Sequence, residues 1–362
     1  MKKVLLISQY PYSKTARGMD VLTECFEELN WDTSHLTFPN VFYTVKKTKP
    51  FPTTVKEYIA RKAIIPYVDS LMRWFPKPLF TMMLSYQKRK TSFIDFAAYD
   101  YIVVESGKPL FLLDSIPESI KIIYRQSDSV RHILGKNKYY IGLEDKILHK
   151  AEKIIVVKER YKKLLDEKFH KKVQVIRNGL SIPENIKLTN PYQGNSTNAV
   201  YVGIKMLDVK TLKEICLKNP NLKVHIFGTC LTKLDLLRLR KIKNFFYYGF
   251  QPREKYLPFI KYADVAICPY KDWYGMKAGF TTKYLNFMYF KLPIVSYSAG
   301  QESEFAGMGV YFVSGAEEFA DKVSQIIRSK EKVNLKIDFN FFSHNERKKE
   351  YRQLINSLDI SS

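Results

Sequence analysis

The stretch Thr281–Ser298 (TTKYLNFMYFKLPIVSYS) contains the residue types of an anion-binding site. Its apolar spacing predicts a helix over Thr282–Phe290, a tight turn that ends at Pro293, and a short strand at Ile294–Ser296. A helix N-terminus has free N–H groups and a partial positive charge, so it can hold a phosphate. The stretch therefore predicts a phosphate-binding helix start in an open α/β sheet.

Side chains around this helix start could grip the diphosphate and ribose of a sugar nucleotide. Thr281 and Thr282 offer hydroxyl donors, Lys283 supplies a cation, and Asn286 lies one turn further on the same face as Thr282. Lys277, in the turn-rich segment before the helix, is a candidate for the diphosphate or for a carboxylate of the donor. An ordinary helix–strand unit of a Rossmann-like domain explains the pattern equally well.

Length and charge limit the class of protein. The chain has 362 residues, of which 46% are apolar, so it can form about two domains with cores of their own. The formal charge of +23 implies an anionic partner, which could be nucleic acid, an acidic membrane or a phosphorylated substrate. We expect no nucleic-acid partner, because no RNA-binding signature or helix-turn-helix pattern is present. A basic nucleic-acid-binding protein is the alternative from another functional class.

The four cysteines are scattered and form no CxxC pair, which indicates a reducing compartment. No signal-peptide pattern is found, and no apolar run approaches the roughly 20 residues of a membrane span. We therefore expect a cytoplasmic protein that is soluble or peripheral on a membrane.

Apolar strand-like runs alternate with helical segments in two series, which predicts an α/β fold with two Rossmann-like domains of parallel sheet. The predicted N-terminal, acceptor-binding domain covers residues 1–180. A hinge rich in Pro, Asn and Gly follows at 181–198, and a nucleotide-sugar-binding domain covers 199–342. We expect the last helix, 343–362, to cross back to the N-terminal domain.

The segment Val55–Lys90 is predicted to be mostly helical and broken by prolines. It mixes many Lys and Arg residues with aromatic and aliphatic ones, a combination that suits the surface of an anionic bilayer. The alternative is that the apolar residues belong to the core and the basic residues form a solvated face.

A polar run, Arg125–Ser129, directly follows the predicted strand Ile120–Tyr124. In open α/β sheets, functional groups gather past the carboxyl ends of the strands. Asp128 is therefore a candidate general base that accepts a proton from an attacking hydroxyl. Alternatively, it caps the next helix.

Motifs in both halves resemble those of GT-B glycosyltransferases. They are the IRNG turn at Ile176–Gly179, the strand and glycine at Tyr201–Gly203, YADVAICPY at Tyr262–Tyr270, and the helix–turn–strand through Pro293. Many GT-B enzymes have a glutamate seven residues before that proline, where this chain has Asn286.

The closer resemblance, over most of the chain, is to the GumK-like inverting glucuronosyltransferases of bacterial exopolysaccharide assembly. Tyr124–Asp128 (YRQSD) resembles the context of the aspartate base in that family, and Met206 and Tyr270 match residues after two strands of the second domain. Thr281–Lys283 together with Asn286 resembles the family's Ser-x-Lys-x-x-Gln helix start.

The resemblance implies a GT-B fold in which two parallel sheets face each other across a cleft. It implies an inverting glycosyltransferase of surface polysaccharide synthesis, which moves a sugar such as glucuronic acid from a UDP-sugar to a polyprenyl-diphosphate-linked saccharide. Such an enzyme is peripheral on the inner face of the cell membrane and uses an anionic membrane surface. A retaining GT-B enzyme is the alternative.

In this family context, Asp128 is the base, and Met206 and Tyr270 line the uracil and ribose pocket. We expect no cofactor and no metal ion, because the chain has no DxD motif. Lys283, the threonine hydroxyls and the helix dipole would neutralise the leaving diphosphate instead.

Overall fold

The computed structural model of the protein describes residues 1–13, 17–38, 52–59, 74–128, 130, 138–180, 188–203, 206–270, 282–297, 307–330, 333 and 338–360. The chain divides into two compact units. The first consists of Met1–Ser181 and Asn340–Ser362, and the second of Ile182–Phe339.

In the described residues, the first unit contains a parallel sheet of seven strands. They are β1 (Lys3–Ser8), β2 (Asp32–Thr37), β3 (Lys56–Ile59), β4 (Tyr101–Glu105), β5 (Lys121–Gln126), β6 (Lys153–Val156) and β7 (Val173–Val175). Their order across the sheet is β3-β2-β1-β4-β5-β6-β7. Strands β1, β4 and β6 are nearly continuous apolar runs, as expected for a parallel sheet that helices cover on both faces.

The described part of the second unit contains a parallel sheet of six strands. They are β8 (Thr197–Val202), β9 (Leu222–Phe227), β10 (Phe245–Gly249), β11 (Val265–Cys268), β12 (Ile294–Tyr297) and β13 (Val310–Val313). Their order, β10-β9-β8-β11-β12-β13, repeats that of the first six strands of the other unit. Two parallel sheets of Rossmann-like order confirm the predicted α/β fold class.

The helices between the strands are bounded as follows. They are α1 (Gly18–Glu28), α2 (Lys77–Lys90), α3 (Lys138–Lys150), α4 (Glu159–Lys163), α5 (Val209–Lys218), α6 (Lys233–Leu239), α7 (Arg253–Tyr262), α8 (Thr282–Tyr289), α9 (Ala316–Ser329) and α10 (His344–Ile360). Short 3-10 turns lie at Phe96–Ala98, Lys108–Ser115, Glu167–Lys172 and Phe339–Phe342. No helix in the described ranges is both long and apolar enough to cross a membrane.

One strand lies where the sequence predicted a helix. Lys56–Ile59 pairs in parallel with β2, with Tyr58 opposite Leu36. The hydrogen bonds of an open sheet edge override the local helical pattern here. Residues 60–73 of the same predicted segment lie outside the described residues, and its last part forms α2.

Each sheet reverses its direction of growth beside a central strand. β1 pairs with both β2 and β4, and β8 pairs with both β9 and β11. Ligands of open α/β sheets bind at the carboxyl edge where this reversal occurs. The residues just past β1 and β4, and those just past β8 and β11, are therefore the places where a site is expected.

Helix α10 packs on the first unit although it lies at the end of the chain. Tyr351, Leu354 and Leu358 are buried in one cluster with residues of α1 and the sheet. Polar contacts flank this cluster, because Glu24 of α1 lies 2.9 Å from His344 Nε2 and 2.7 Å from Lys348 Nζ. These two contacts lower the pKa of Glu24 to about 2, outweighing burial, which alone would raise it.

We predict that Glu24→Gln lowers the free energy of unfolding by about 1.5–3 kcal/mol at pH 7, the scale of a charge-assisted hydrogen bond. A carboxylate whose pKa is depressed by folding stabilises the fold above its unfolded pKa and loses that effect as pH falls. The difference between variant and wild type should therefore shrink between about pH 5 and pH 2.

Urea unfolding followed by the fluorescence of Trp31, which packs on Phe26 and Tyr101, measures this. The control is Glu118→Gln, because Glu118 is 84% exposed in its ion pair with Lys150. An effect of Glu24→Gln that is independent of pH, or no larger than that of Glu118→Gln, would contradict the assignment.

Candidate active site

A cavity of about 220 Å³ opens at the carboxyl edge of the second sheet. It lies beside β8, at the strand where the sheet reverses its growth. Its lining comes from the ends of three strands and from helices α7 and α8: Val202, Gly203, Phe227, Gly228, Phe250, Gln251, Tyr256, Ile260, Lys283, Asn286 and Phe287. The cavity is therefore where the topology places a ligand of this unit.

Two glycines let the chain segments of this cavity approach each other closely. A Cβ atom on Gly228, whose φ is +110°, would lie 1.8 Å from the carbonyl oxygen of Gly203. A Cβ atom on Gly203 would lie 2.1 Å from Lys283 Nζ. The N–H of Gly203 donates to Phe227 O and that of Gly228 to Gly249 O, so these glycines provide space and not hydrogen-bond donors for a ligand.

Lys283 is held over two tyrosines. Its Nζ lies 5.4 Å from the ring centroid of Tyr201 and 5.8 Å from that of Tyr270, with the Tyr201 hydroxyl at 3.4 Å. The two rings are in edge contact at 5.9 Å and both are buried. Aromatic faces attract a cation and restrict its position, so the ammonium is fixed at one end of the cavity.

Asn286 lies one helical turn beyond Lys283 on the cavity face of α8. Arg253 Nη2 lies 3.5 Å from Asn286 Oδ1, at the outer limit of a hydrogen bond. Burial lowers the pKa of Arg253, which nevertheless stays a cation. In this contact the amide oxygen of Asn286 is the acceptor and the guanidinium is the donor.

Tyr270 and Met206 lie beside this cavity, but neither is among the described residues that line it. Tyr270 is 2% exposed, and burial raises the pKa of its phenol well above the usual value. Leu207, the residue after Met206, pairs with Tyr270 in an antiparallel bridge. The structure thus brings Tyr270 beneath Lys283 and places the half-buried Met206 next to the end of β11.

The structure brings Lys283 and Asn286 together in one cavity. Lys277 and Thr281 lie outside the described residues, and Thr282 is the first residue of α8. Sequence reasoning did not select Phe250, Gln251 or Tyr256, which line the same cavity. The signal was present, because Phe250 and Gln251 follow strand β10 and its glycine, Gly249.

The first unit has a polar cluster centred on Glu105, at the carboxyl ends of its three central strands. Glu105 accepts hydrogen bonds from Ser8 Oγ at 2.7 Å, from Ser127 Oγ at 2.7 Å and from the N–H of Gln9 at 3.2 Å. The carboxylate is 8% exposed, so these donors take the place of water. Sequence reasoning missed Glu105, although it ends the apolar run YIVVE.

Arg125 compensates the charge of this buried carboxylate. Its Nη1 lies 3.7 Å from Glu105 Oε1 and also donates to Ser127 Oγ. Its other nitrogens donate to Asn178 Oδ1 at 2.8 Å and to Tyr351 Oη at 3.1 Å. Arg125 was predicted to lie in a loop, but β5 continues through Gln126, so the strand pairing fixes the guanidinium in the core.

Asp128 lies two residues past β5 and is exposed. Its N–H donates to Ser106 Oγ at 3.2 Å, and Ser106 follows β4. Ser127, the preceding residue, is held by Glu105 and Arg125. The backbone that carries the Asp128 carboxylate is therefore anchored on both neighbouring strands, while the carboxylate itself faces solvent. This is the placement of a group that can exchange a proton with a substrate.

The ranges that the structure describes contain no group of three or more His, Cys, Asp and Glu side chains that could hold a metal ion.

Comparison with known families matches both parts of the chain. Residues 39–157 match the family described as Glucuronosyltransferase GumK, N-terminal domain. Residues 203–338, which include the cavity lining except Val202, match the family described as Glycosyl transferases group 1. The chain is a GumK-like GT-B glycosyltransferase. The comparison with curated protein sequences gave no match.

Solved structures of glycosyltransferases share the fold along the whole chain. Sucrose-phosphate synthase from Thermosynechococcus elongatus is 13% identical, with 100% of each chain covered and a TM-score of 0.68. HepE from Anabaena in complex with UDP-glucose is 13% identical, with 99% of this chain and 100% of that chain covered and a TM-score of 0.61. UGT89C1 from Arabidopsis thaliana complexed with UDP-L-rhamnose is 13% identical, with 92% and 94% covered and a TM-score of 0.52.

We predict that Gly228→Ala destabilises this glycosyltransferase by about 3 kcal/mol or more, because its Cβ would collide with the backbone at Gly203 in addition to the strain of a positive φ. The matched control is Gly249→Ala. Gly249 also has a positive φ, +63°, but the nearest atom to its Cβ would be Tyr247 Cε1 at 4.0 Å. This control should cost about 1 kcal/mol.

Urea unfolding followed by circular dichroism measures both variants. Equal destabilisation by the two substitutions would show that the close approach of the two glycine segments is not a constraint on the fold.

Proposed function

We propose that the protein is an inverting, metal-independent glycosyltransferase that moves a sugar from a UDP-sugar to a lipid-linked glycan. The observation that carries this proposal is the cavity at the carboxyl edge of the second sheet, with Lys283 fixed at one end and Asn286 beside it. The match of residues 39–157 to the GumK N-terminal domain favours glucuronic acid as the sugar and bacterial surface polysaccharide as the product.

The two ends of the cavity suit the two ends of a nucleoside diphosphate. Lys283 lies in the first turn of α8, where free N–H groups and the helix dipole also favour a phosphate. Phe227, Phe250 and Tyr256 offer apolar surface for a base, and Gln251 offers an amide to its edge. HepE and UGT89C1, which share the fold, have been solved with UDP-glucose and UDP-L-rhamnose. These complexes support a UDP-sugar donor here.

Asn286 takes the place of a ribose-binding residue in this proposal. Its side-chain amide lines the cavity and is of the chemical type that hydrogen-bonds a ribose hydroxyl. We place Met206 and Tyr270 beside the donor. The ring of Tyr270 restricts the position of the Lys283 ammonium. We include Lys277, Thr281 and Thr282 as further donor ligands on sequence grounds alone.

Transfer with inversion needs one base and a stabilised leaving group. Asp128 accepts the proton of the acceptor hydroxyl while the hydroxyl oxygen attacks C1 of the sugar. The bond from C1 to the diphosphate oxygen breaks, and its electron pair leaves with UDP. Lys283 and the N-terminus of α8 neutralise the negative charge that develops there, without a metal ion.

We further propose that the acceptor is a polyprenyl-diphosphate-linked saccharide and that the enzyme works at the inner face of the cell membrane. The support is the charge of +23 and the composition of α2, KPLFTMMLSYQKRK, which carries four basic residues and no acidic one. Met82 on this helix is 60% exposed, and Trp74, just before it, is 73% exposed. Cations beside exposed apolar side chains are typical of helices at an anionic bilayer surface.

We predict that Lys283→Gln weakens UDP binding about 10- to 100-fold, because one charge-assisted hydrogen bond contributes about 1.5–3 kcal/mol. Uridine, which has no phosphate, should bind the variant as it binds wild type. Isothermal titration calorimetry with both ligands measures this, and Lys261→Gln on the exposed surface of α7 is the control. An equal loss for uridine would show that Lys283 does not act on the diphosphate.

We predict that Asp128→Asn lowers the rate of transfer at least about 100-fold, the contribution of a general base, and leaves UDP affinity unchanged. The assay follows UDP release from UDP-glucuronic acid with a bacterial lipid extract as acceptor. Asp114→Asn is the control, because Asp114 is an exposed carboxylate paired with Lys146.

A near wild-type rate for the Asp128 variant would remove the base assignment. The anomeric configuration of the product, read by NMR, separates inversion from the retaining alternative.

A further inference from the structure

A second cavity, of about 370 Å³, lies in the first unit at the carboxyl end of α2. It is lined by Tyr86, Arg89, Lys90, Ser92 and Phe93. None of these residues belongs to the polar cluster around Glu105 and Asp128 or to the cavity of the second unit. The cavity therefore needs an explanation of its own.

The hydroxyl of Tyr86 points to a ligand. Its oxygen is buried and has no hydrogen-bond partner among the described residues. Lys90 Nζ lies 5.0 Å from the centroid of the Tyr86 ring, so a cation is adjacent. A buried phenol without an acceptor is unfavourable, and an anion in this cavity would supply the acceptor and meet the cation at the same time.

The charge of the cavity is positive and uncompensated by the helix itself. Within the described part of the chain, neither Arg89 nor Lys90 forms an ion pair, and α2 contains no Asp or Glu. Basic residues at a helix carboxyl end also offset the helix dipole, which would explain Lys88, Arg89 and Lys90 without a ligand. That explanation leaves both the buried Tyr86 hydroxyl and the adjoining apolar surface unaccounted for.

The adjoining surface is an apolar stripe on the outer face of α2. Leu79 and Met82 are 36% and 60% exposed and share this face with Tyr86, and Phe93 beyond the helix end is 50% exposed. The packed side of α2 adjoins this stripe, and there the ring of Phe80 stacks on Tyr139 at 4.1 Å. The stripe leads directly to the basic cavity.

We infer that this cavity binds the phosphate headgroup of an anionic phospholipid, with the acyl chain lying along the stripe of Leu79, Met82 and Phe93. Arg89 and Lys90 meet the phosphate charge, and the Tyr86 hydroxyl donates to a phosphate oxygen. The Ser92 hydroxyl already donates to the carbonyl of Arg89 and is not counted as a ligand. The inference rests on the membrane association proposed above and adds a specific lipid site to it. A free phosphate ion would pair with the cations, but it has no apolar part that could cover the apolar stripe.

The test is flotation of the full chain with phosphatidylcholine vesicles that contain 30% phosphatidylglycerol. The double variant Arg89→Gln/Lys90→Gln is compared with Lys77→Gln/Lys88→Gln, which removes the same charge from the exposed surface of α2 outside the cavity. If the protein is only attracted to an anionic surface in general, the two double variants should lose vesicle binding equally. A lipid site predicts a loss at least about tenfold greater for the Arg89/Lys90 pair.

Tyr86→Phe sharpens the test, because it removes one hydroxyl and no charge. We expect it to weaken vesicle binding about 10-fold or more, as the loss of one hydrogen bond to a charged group does. Equal losses for the two charge pairs, or wild-type binding by Tyr86→Phe, would overturn the inference.

Soluble glycerol 1-phosphate separates the two sources of phosphate. Displacement of the protein from vesicles by about 1 mM of this headgroup analogue would show a small-anion site and overturn the lipid assignment. No displacement supports it. UDP affinity measured on the same variants should equal that of wild type, so a failure of the lipid site can be told from a failure of the donor site.

Discussion

The position of one ammonium group, that of Lys283, is the constraint on which the proposed donor site depends. The group lies over the buried rings of Tyr201 and Tyr270. The side chain of Lys283 occupies space that a Cβ atom on Gly203 would fill. Each of these residues comes from a different place in the chain, and the parallel pairing of β8 with β11 brings the two tyrosines together. The sheet therefore fixes a positive charge at the edge where this fold binds its ligands.

The first unit has a buried ion pair at the carboxyl edge of its own sheet. Glu105 and Arg125 lie on adjacent strands, and their hydrogen bonds extend to Ser8, Ser127 and Tyr351. Breaking such a pair leaves an uncompensated charge in the core, so the network holds the ends of β1, β4 and β5 in one arrangement. Asp128 follows directly on this rigid edge. The proposed base and the proposed diphosphate-binding cation are thus each held at a rigid strand edge of their own unit, and small misplacements of reacting groups are costly.

Local patterns predicted much of the fold, because buried parallel strands are continuous apolar runs. The helix predicted at Thr282–Phe290 is α8 (Thr282–Tyr289), and the strand predicted at Ile294–Ser296 is β12 (Ile294–Tyr297). The failures are at places where partners distant in sequence decide the structure. Lys56–Ile59 is a strand because β2 offers it an edge, and Arg125 stays in β5 because Glu105 and Tyr351 surround it.

The candidate site shows the same division. Lys283 and Asn286 could be chosen from one helix start, because their spacing is local. The lining by Phe250, Gln251 and Tyr256 depends on the strand order β10-β9-β8 and on where α7 packs, and the sequence pattern alone does not reveal either. The support of Lys283 by Tyr201 is likewise a contact between residues 82 positions apart.

The central claim is that the second unit holds the diphosphate of a nucleotide. The most direct measurement is the melting temperature of the wild-type full chain with equal concentrations of UDP, UMP and uridine. A ligand that binds only the folded state raises the melting temperature in proportion to the logarithm of its affinity. The account predicts the order UDP, then UMP, then uridine, with UDP clearly ahead. Equal shifts for all three ligands, or no shift with UDP, would contradict it.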